Sequence, residues 1–366
     1  MKELLESAYK GRKVLVTGQT GFKGSWLALW LKELGAEVVG YALDPKTDKD
    51  NFVVTKLSNQ IKDLRADIRN KHKLLKVFKE EQPEIVFHLA AQPLVLESYD
   101  NPLETFETNI MGTANVLEAI SKSDSVYAGI MITSDKCYEN REMIWGYREN
   151  DPMGGYDPYS ASKGSAELII NSYRKSFLAS DGKAIASARA GNVVGGGDWS
   201  KYRLIPDIVR AIEAGQTLEL RNPQATRPWQ HVLEPLGGYL LLGAKMMADP
   251  AKYADAWNFG PYPHEVKPVE TVVDKMIRCF GKGEWKELPP NNQHHEANLL
   301  TLDITKALSK LGWEPTLNLD ETIFMTVDWY KNYNTGTDMY ELCRNQIDEY
   351  VKGMPVNNVN IADNQQ

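Results

Sequence analysis

Tyr159-Ser160-Ala161-Ser162-Lys163 places a phenol and an ammonium four residues apart, on one face of the segment if it is helical. A phenol titrates near pH 10 and is a poor base at neutrality. A neighbouring cation lowers that value, so the spacing predicts a phenol that can take a proton from an alcohol. Thr133-Ser134-Asp135-Lys136 follows a short apolar run. Ser134 can donate a hydrogen bond to a reacting hydroxyl or carbonyl. Asp135 and Lys136 are two titratable groups side by side, more than a simple alcohol oxidation needs. They are read either as acid and base for a second step such as elimination, or as a surface ion pair at a strand end.

Oxidation of an alcohol needs a hydride acceptor, and the N-terminal segment suggests one. In Val14-Leu15-Val16-Thr17-Gly18-Gln19-Thr20-Gly21-Phe22-Lys23-Gly24, glycines recur at every third position between a β-branched run and a helical pattern. Such a loop lets the backbone approach a pyrophosphate and aims a helix N-terminus at it. A dinucleotide site is expected here, and a bound nicotinamide cation would further acidify Tyr159. Asp44, 20 residues beyond Gly24, either accepts hydrogen bonds from the adenosine ribose, which favours NAD over NADP, or turns the chain before Pro45. Asp67, in Ala66-Asp67-Ile68, is either near the adenine or a solvated loop residue.

These groups need strands to carry them and helices to space them. Val14–Thr17, Val38–Leu43, Ile85–Ala90, Gly129–Thr133 and Ala184–Ala190 read as strands. Between them, Trp26, Leu27, Trp30, Leu31 and Leu34 recur at helical spacing before Gly35. Leu74, Leu75 and Phe78 mark a helix stopped by Pro83, and Met111–Ile120 and Tyr159–Phe177 mark two more. Apolar strands alternating with helices predict an α/β fold, a doubly wound parallel sheet of Rossmann type. Beyond about residue 190 the pattern becomes irregular, which predicts a smaller mixed α/β substrate lobe. The expected division is a dinucleotide-binding domain of residues 1–190 plus roughly 228–258. The lobe is then roughly 191–227 and 259–354, and 355–366 is a mobile tail.

Of 366 residues, 42% are hydrophobic and 25% charged, ample for a core, and the net charge is −7 with no basic stripe. A nucleic-acid binder is not expected. The longest nearly apolar stretch, Leu236–Ala244, is too short to span a bilayer, and residues 1–13 lack the apolar centre of a signal peptide. Cys137, Cys279 and Cys343 are few, odd in number and far apart, which suits a reducing cytoplasm. No cluster has the spacing of metal ligands, so no metal is expected. His88, at a strand end, reads as a buried structural residue.

Taken together, Gly18/Gly21/Gly24, His88-Leu89-Ala90-Ala91, Asn109 before a helix, Tyr159/Lys163 and Leu311-Gly312-Trp313-Glu314-Pro315 resemble the extended short-chain dehydrogenase/reductase superfamily. The likeness covers about residues 10–345. Within that superfamily, residues 17–27 and Ser134-Asp135-Lys136 resemble the nucleotide-sugar 4,6-dehydratases. The resemblance implies a redox-neutral dehydration: oxidation at C4 assisted by Tyr159 and Ser134, loss of water across C5 and C6, and hydride return to C6. It implies NAD as cofactor, lined also by Thr20, Phe22, Lys23, Ile68, Ala90, Ala91 and Asn109. It implies CDP-glucose as substrate, held by Gln92, Asn192, Arg203 before Leu204-Ile205-Pro206, and Arg227 with Trp229. Another nucleotide sugar, or C4 epimerisation on the same scaffold, stays open. A non-catalytic NAD-binding protein would be expected to lack Tyr159 or Lys163. The resemblance further implies a homodimer or homotetramer built through the helices near 103–120 and 159–177, and a place in deoxysugar supply for surface polysaccharide.

The chain departs from the family in two places. Relatives usually carry Asp-Glu or Ser-Glu where Asp135-Lys136 stands, so either member of the pair can be the acid and the other the base. Arginines that some relatives place just before the segment matching Leu302-Asp303 are absent from Asn298-Leu299-Leu300, with His294-His295 read as a paired surface His or a substitute contact.

Overall fold

The computed structural model describes residues 1–288 and 299–354. The expected tail 355–366 and the His294-His295 pair lie outside the described residues. Helix α1, Lys2–Tyr9, precedes strand β1, Lys13–Thr17. The succession then runs α2 (Phe22–Glu33), β2 (Glu37–Ala42), β3 (Lys62–Arg65), α3 (Lys71–Glu81), β4 (Ile85–His88), α4 (Gly112–Ser121), β5 (Ala128–Ile132), α5 (Pro158–Tyr173), β6 (Ala184–Ala190), α6 (Leu233–Ala248) and β7 (Ala256–Phe259).

These seven strands form one parallel sheet in the order β7-β6-β5-β4-β1-β2-β3. The chain leaves β1 in one direction through β2 and β3, and returns beyond β1 through β4. The switch point of this doubly wound sheet therefore lies between β1 and β4, where Thr17 stands opposite His88. Crevices at the carboxyl ends of strands around such a point are where ligands bind.

Strand alternation fills both faces. Val14 and Val16 of β1, Ile85 and Phe87 of β4, and Ile130 of β5 point into the larger core with α1, α2 and α6. Leu15, Val86 and Met131 point into a second core with α3, α4 and α5. Helix α2 is buried from Gly24 to Leu31, which explains why its apolar residues occur on every side. His88 is buried between the hydroxyls of Thr17 (2.8 Å) and Thr113 (3.1 Å), and burial drops its pKa to about 3.

Two of the seven strands are missing from the sequence reading, for opposite reasons. β3, Lys-Asp-Leu-Arg, is an edge strand with polar side chains. β7, Ala-Trp-Asn-Phe, is fully buried but four residues long. The expected helix Tyr159–Phe177 is α5 followed by a π-helical turn over Arg174–Leu178. Outside α6 and β7, the chain after β6 supplies short pairings, Val193–Val194 with Gln230–His231, Thr226–Arg227 with Lys267–Pro268 and Leu218–Leu220 with Trp285–Glu287, and the helices Leu204–Ala214 and Val269–Phe280. A third, small core of Cys137, Tyr138, Tyr147, Leu300 and Leu302 packs the chain after β5 against residues 299–303. Helices α7 (Leu319–Tyr333) and α8 (Met339–Gly353) close the described chain. No described helix is long and apolar enough to cross a membrane.

Candidate active site

Two carboxyl-end loops and one helix converge beside the switch point. The first follows β1. Gly18 has φ +79°, and a β-carbon there would lie 2.7 Å from the Ala90 amide nitrogen. A β-carbon on Gly24 would lie 1.9 Å from the Gly18 carbonyl oxygen, so the loop folds only around glycine at both positions. Gly21 is different: its β-carbon would touch only that same oxygen, at 3.4 Å, leaving its outer face open. Gly21 caps α2 without a side-chain hydrogen bond, and no acid occupies the first turn. The free N–H groups there suit an anion. Thr20 ties the loop to β2 through the Leu43 carbonyl (3.0 Å). Phe22 reaches toward Gly195.

The second loop follows β5. The Ser134 hydroxyl donates to Asp135 Oδ1 at 2.8 Å and accepts from the Lys136 amide at 3.3 Å, which caps the short turn Asp135–Cys137. Asp135 is buried, and its Oδ2 has no hydrogen-bond partner. Asp135 and Lys136 form no ion pair with each other, so the surface-pair alternative does not describe them.

Helix α5 carries the third group. Asp157 accepts from the Ser160 amide at 2.9 Å and Pro158 occupies the first turn, so the start of the helix is set two residues before Tyr159. Tyr159 and Lys163 are both buried, with the Lys163 nitrogen 6.0 Å from the Tyr159 ring centre. Burial, more than the spacing to Lys163, governs the Tyr159 pKa here. Burial pushes the phenol up to about 12, partly opposed by the adjacent Ser134 hydroxyl and reinforced by the Asp135 charge. Burial likewise drops Lys163 to about 8, because desolvation outweighs the favourable charges around it. Lys23 falls to about 7 by burial and by the positive charges of Arg203 and Lys163, with Asp135 opposing.

Lys23, Lys163 and Arg203 thus gather near Asp135, with Arg203 also paired to Asp198, and an anionic ligand would suit this excess of positive charge. Together with the open face of Gly21, this fits a bound dinucleotide diphosphate. Ala90 and Ala91 border the cradle, where the Ala90 amide donates to Thr17 Oγ1 at 3.2 Å. Asp44 lies two residues beyond β2, with its side chain 88% exposed, 3.8 Å from Arg65. Asp67 is gripped by Arg69 (2.7 Å), which holds its carboxyl below the usual range, and Ile68 packs beneath Gly112. Asn109 uses its whole amide internally, accepting from the Gln92 amide (2.8 Å) and donating to the Gln92 carbonyl and Ser162 Oγ. It locks the loop after β4 onto α5.

The expected substrate contacts are more dispersed. Arg203 lies near Tyr159 and Lys23 and pairs with Asp198 at 2.9 Å. Asn192, in the left-handed region at φ +47°, follows Gly191 beside Asp135. The Gln92 side chain is engaged with Leu94 and Thr105 inside its own loop. Arg227 bonds the Thr226 carbonyl, and Trp229 is buried with its indole N–H on the Lys267 carbonyl. No group of three His, Cys, Asp or Glu is gathered to hold a metal among the described residues.

Sequence reasoning passed over Gly191, against which Asp135 packs, and the buried pair Glu167–Arg189. Glu167 had a signal: it continues the Tyr159, Lys163 spacing by four. Gly191 and Arg189 had none, since their role depends on strands meeting side by side.

The fold and the cluster at its switch point are those of dinucleotide-dependent enzymes acting on nucleotide sugars. The chain belongs to the GDP-mannose 4,6 dehydratase family, whose model matches residues 15–326. It is 49% identical over 348 residues to the CDP-glucose 4,6-dehydratase of Salmonella typhimurium strain LT2, covering 94% of this chain and 97% of that one. It is 29% identical to the CDP-paratose 2-epimerase of Salmonella typhi, over 87% and 98% of the two chains. The solved dTDP-glucose 4,6-dehydratase of Bacillus anthracis in complex with NAD superposes with a TM-score of 0.74 at 21% identity, over 90% of this chain and all of that one.

Proposed function

We propose that this protein catalyses the NAD-dependent dehydration of CDP-glucose to CDP-4-keto-6-deoxyglucose without net redox change. The observation that carries the chemistry is the buried Asp135 carboxylate, with one oxygen unpartnered, beside Ser134 and Tyr159. Oxidation at C4 needs only the phenol, the serine and the lysine. Asp135 and Lys136 add the proton-transfer groups for elimination. The 49% identity to the Salmonella dehydratase supports CDP-glucose as the substrate.

NAD would be held by Gly18, Thr20, Gly21, Phe22, Lys23 and Gly24, with Asp44, Asp67, Ile68, Ala90, Ala91 and Asn109 along the same edge, and when bound it supplies a reversible hydride acceptor. Tyr159, its phenol acidified by the Lys163 ammonium and by the positive charge of bound NAD⁺, removes the C4 hydroxyl proton, with Ser134 holding the same oxygen. The resulting ketone acidifies the C5 hydrogen. Asp135 and Lys136 then divide the removal of that proton and the protonation of the departing C6 hydroxyl. Arg203, Arg227 and Asn192 hold the diphosphate, as planar guanidinium groups suit two phosphate oxygens at once; Gln92 and Trp229 steady the surrounding loops.

On this reading residues 1–190 with 228–258 form the dinucleotide domain, and 191–227 with 259–354 the sugar-nucleotide lobe. The exposed Leu103, Met111, Leu168 and Phe177 on neighbouring helices favour a homodimer or homotetramer. Three unpaired cysteines favour the cytoplasm.

The test is mass spectrometry after separate incubation with CDP-glucose, dTDP-glucose, UDP-glucose and GDP-mannose, each with NAD⁺. Loss of one water from CDP-glucose without net NADH is the expected result. Water loss from another sugar alone overturns the cytidine assignment. An unchanged mass with a rearranged sugar overturns the dehydratase in favour of an epimerase.

A further inference from the structure

Beneath the candidate site lies an ion pair that the proposed chemistry does not use. Glu167 and Arg189 meet at 2.8 Å, and each side chain is only 4% exposed. A buried ion pair contributes little net stability, because the desolvation of two charges offsets their attraction. Its distinctive effect is geometric, and its partners show which geometry it sets.

Glu167 lies one turn beyond Lys163 on α5, the helix that carries Tyr159. One of its oxygens accepts from the Thr133 hydroxyl at 2.5 Å, and the other from Ser187 at 2.7 Å and Arg189. Arg189 donates to the Tyr138 hydroxyl at 2.6 Å and to the Glu149 carbonyl at 3.0 Å. Tyr138 passes the bond on to Asn258 at 2.7 Å. Thr133 immediately precedes Ser134-Asp135-Lys136, and Tyr138 follows it by two residues. The pair therefore grips both ends of that tripeptide and ties it to the helix that holds the phenol and the ammonium.

We infer that Glu167 and Arg189 are positioning residues that set the placement of Asp135 and Lys136 relative to Tyr159, and so couple elimination to oxidation. The inference rests on the dehydratase reading above. Oxidation depends chiefly on Tyr159 and Lys163 of α5, with Ser134 assisting, whereas elimination depends wholly on Asp135 and Lys136 of the clamped tripeptide. Slack in the clamp slows elimination more than oxidation, and the reduced cofactor then builds up in the steady state.

Thr133→Val and Tyr138→Phe each remove one hydroxyl at one end of the clamp while leaving the ion pair paired, so both are expected to fold, with a melting temperature lowered by a few degrees because a buried partner loses its hydrogen bond. Each is expected to lower kcat about tenfold with KM within about twofold, and to raise the near-ultraviolet absorbance of reduced cofactor during turnover. The double variant Glu167→Met/Arg189→Met removes both charges together and is expected to show the same build-up more strongly. Folded single variants with the wild-type kcat would overturn the inference. A lowered kcat without build-up of reduced cofactor would overturn it as well. Failure of the dehydratase reading is recognised separately, because the unmodified enzyme would then release no dehydrated product.

Discussion

The carboxylate of Asp135 packs directly onto the α-carbon of Gly191, so that a β-carbon there would lie 1.9 Å from Oδ2 and 2.2 Å from Cγ. Residue 191 is at the end of β6 and Asp135 at the end of β5, so the contact joins neighbouring strand ends across the site. The Gly191→Ala variant is expected to push Asp135 out of place and lower kcat by about two orders of magnitude, with NAD affinity unchanged. Wild-type kcat in a folded variant would show that the carboxylate has room to move without consequence.

Asp135 and Lys136 are separable by chemistry. Asp135→Asn and Lys136→Met are each expected to lower dehydration by about 10²–10⁴-fold. Both are expected to retain oxidation at C4, seen as reduced cofactor after a single addition of CDP-glucose. If either variant keeps full dehydration, that residue is not part of the elimination.

Lys23 sits in the glycine loop with a pKa of about 7. It is charged below that value and neutral above it, and only the charged form attracts a pyrophosphate. NAD affinity is therefore expected to weaken as pH rises from about 7 to 9. Titration of Lys23→Met should show weaker binding at pH 6 and a flatter pH dependence. An unchanged slope would mean that Lys23 faces away from the dinucleotide.

Glu234 on α6 accepts from the amides of Thr316 (2.8 Å) and Leu317 (2.5 Å) and from the Tyr350 hydroxyl (2.9 Å), and burial raises its pKa from 4.5 to about 7. The folded state therefore holds this proton more tightly than the unfolded chain. The resulting stability is full below pH 4.5 and is lost as pH rises through about 7, at most about 3 kcal/mol. In urea unfolding between pH 5 and 8, Glu234→Gln should flatten this part of the pH dependence. Parallel curves for the two proteins would show that Glu234 titrates normally.

The glycine cradle should be intolerant where its geometry is closed. Gly24→Ala would force a β-carbon to 1.9 Å from the Gly18 carbonyl oxygen, and is expected to abolish measurable NAD binding. Gly21→Ala meets only one atom, at 3.4 Å, so it should fold normally and weaken NAD only by crowding the mouth of the loop. Calorimetric titration of the two variants distinguishes these outcomes.

Local patterns in the sequence determined the parts of this protein that depend on neighbours along the chain. Apolar runs alternating with helical spacing gave the parallel sheet, because a strand buried on both faces has no polar side to display. The glycine spacing marked the cradle, since only glycine permits the close approaches at Gly18 and Gly24. The interval of four brought Tyr159 and Lys163 to one stretch of helix.

Tertiary structure decided what depends on strands side by side. β3 is polar because it is an edge, and β7 is short, so neither left a periodic signal. The pKa of Tyr159 is governed by burial, which the spacing to Lys163 cannot reveal. Gly191 meets Asp135, and Arg189 meets Glu167 and Tyr138, only after β5 and β6 pair. Such contacts join residues that are distant in sequence, and no local periodicity encodes them.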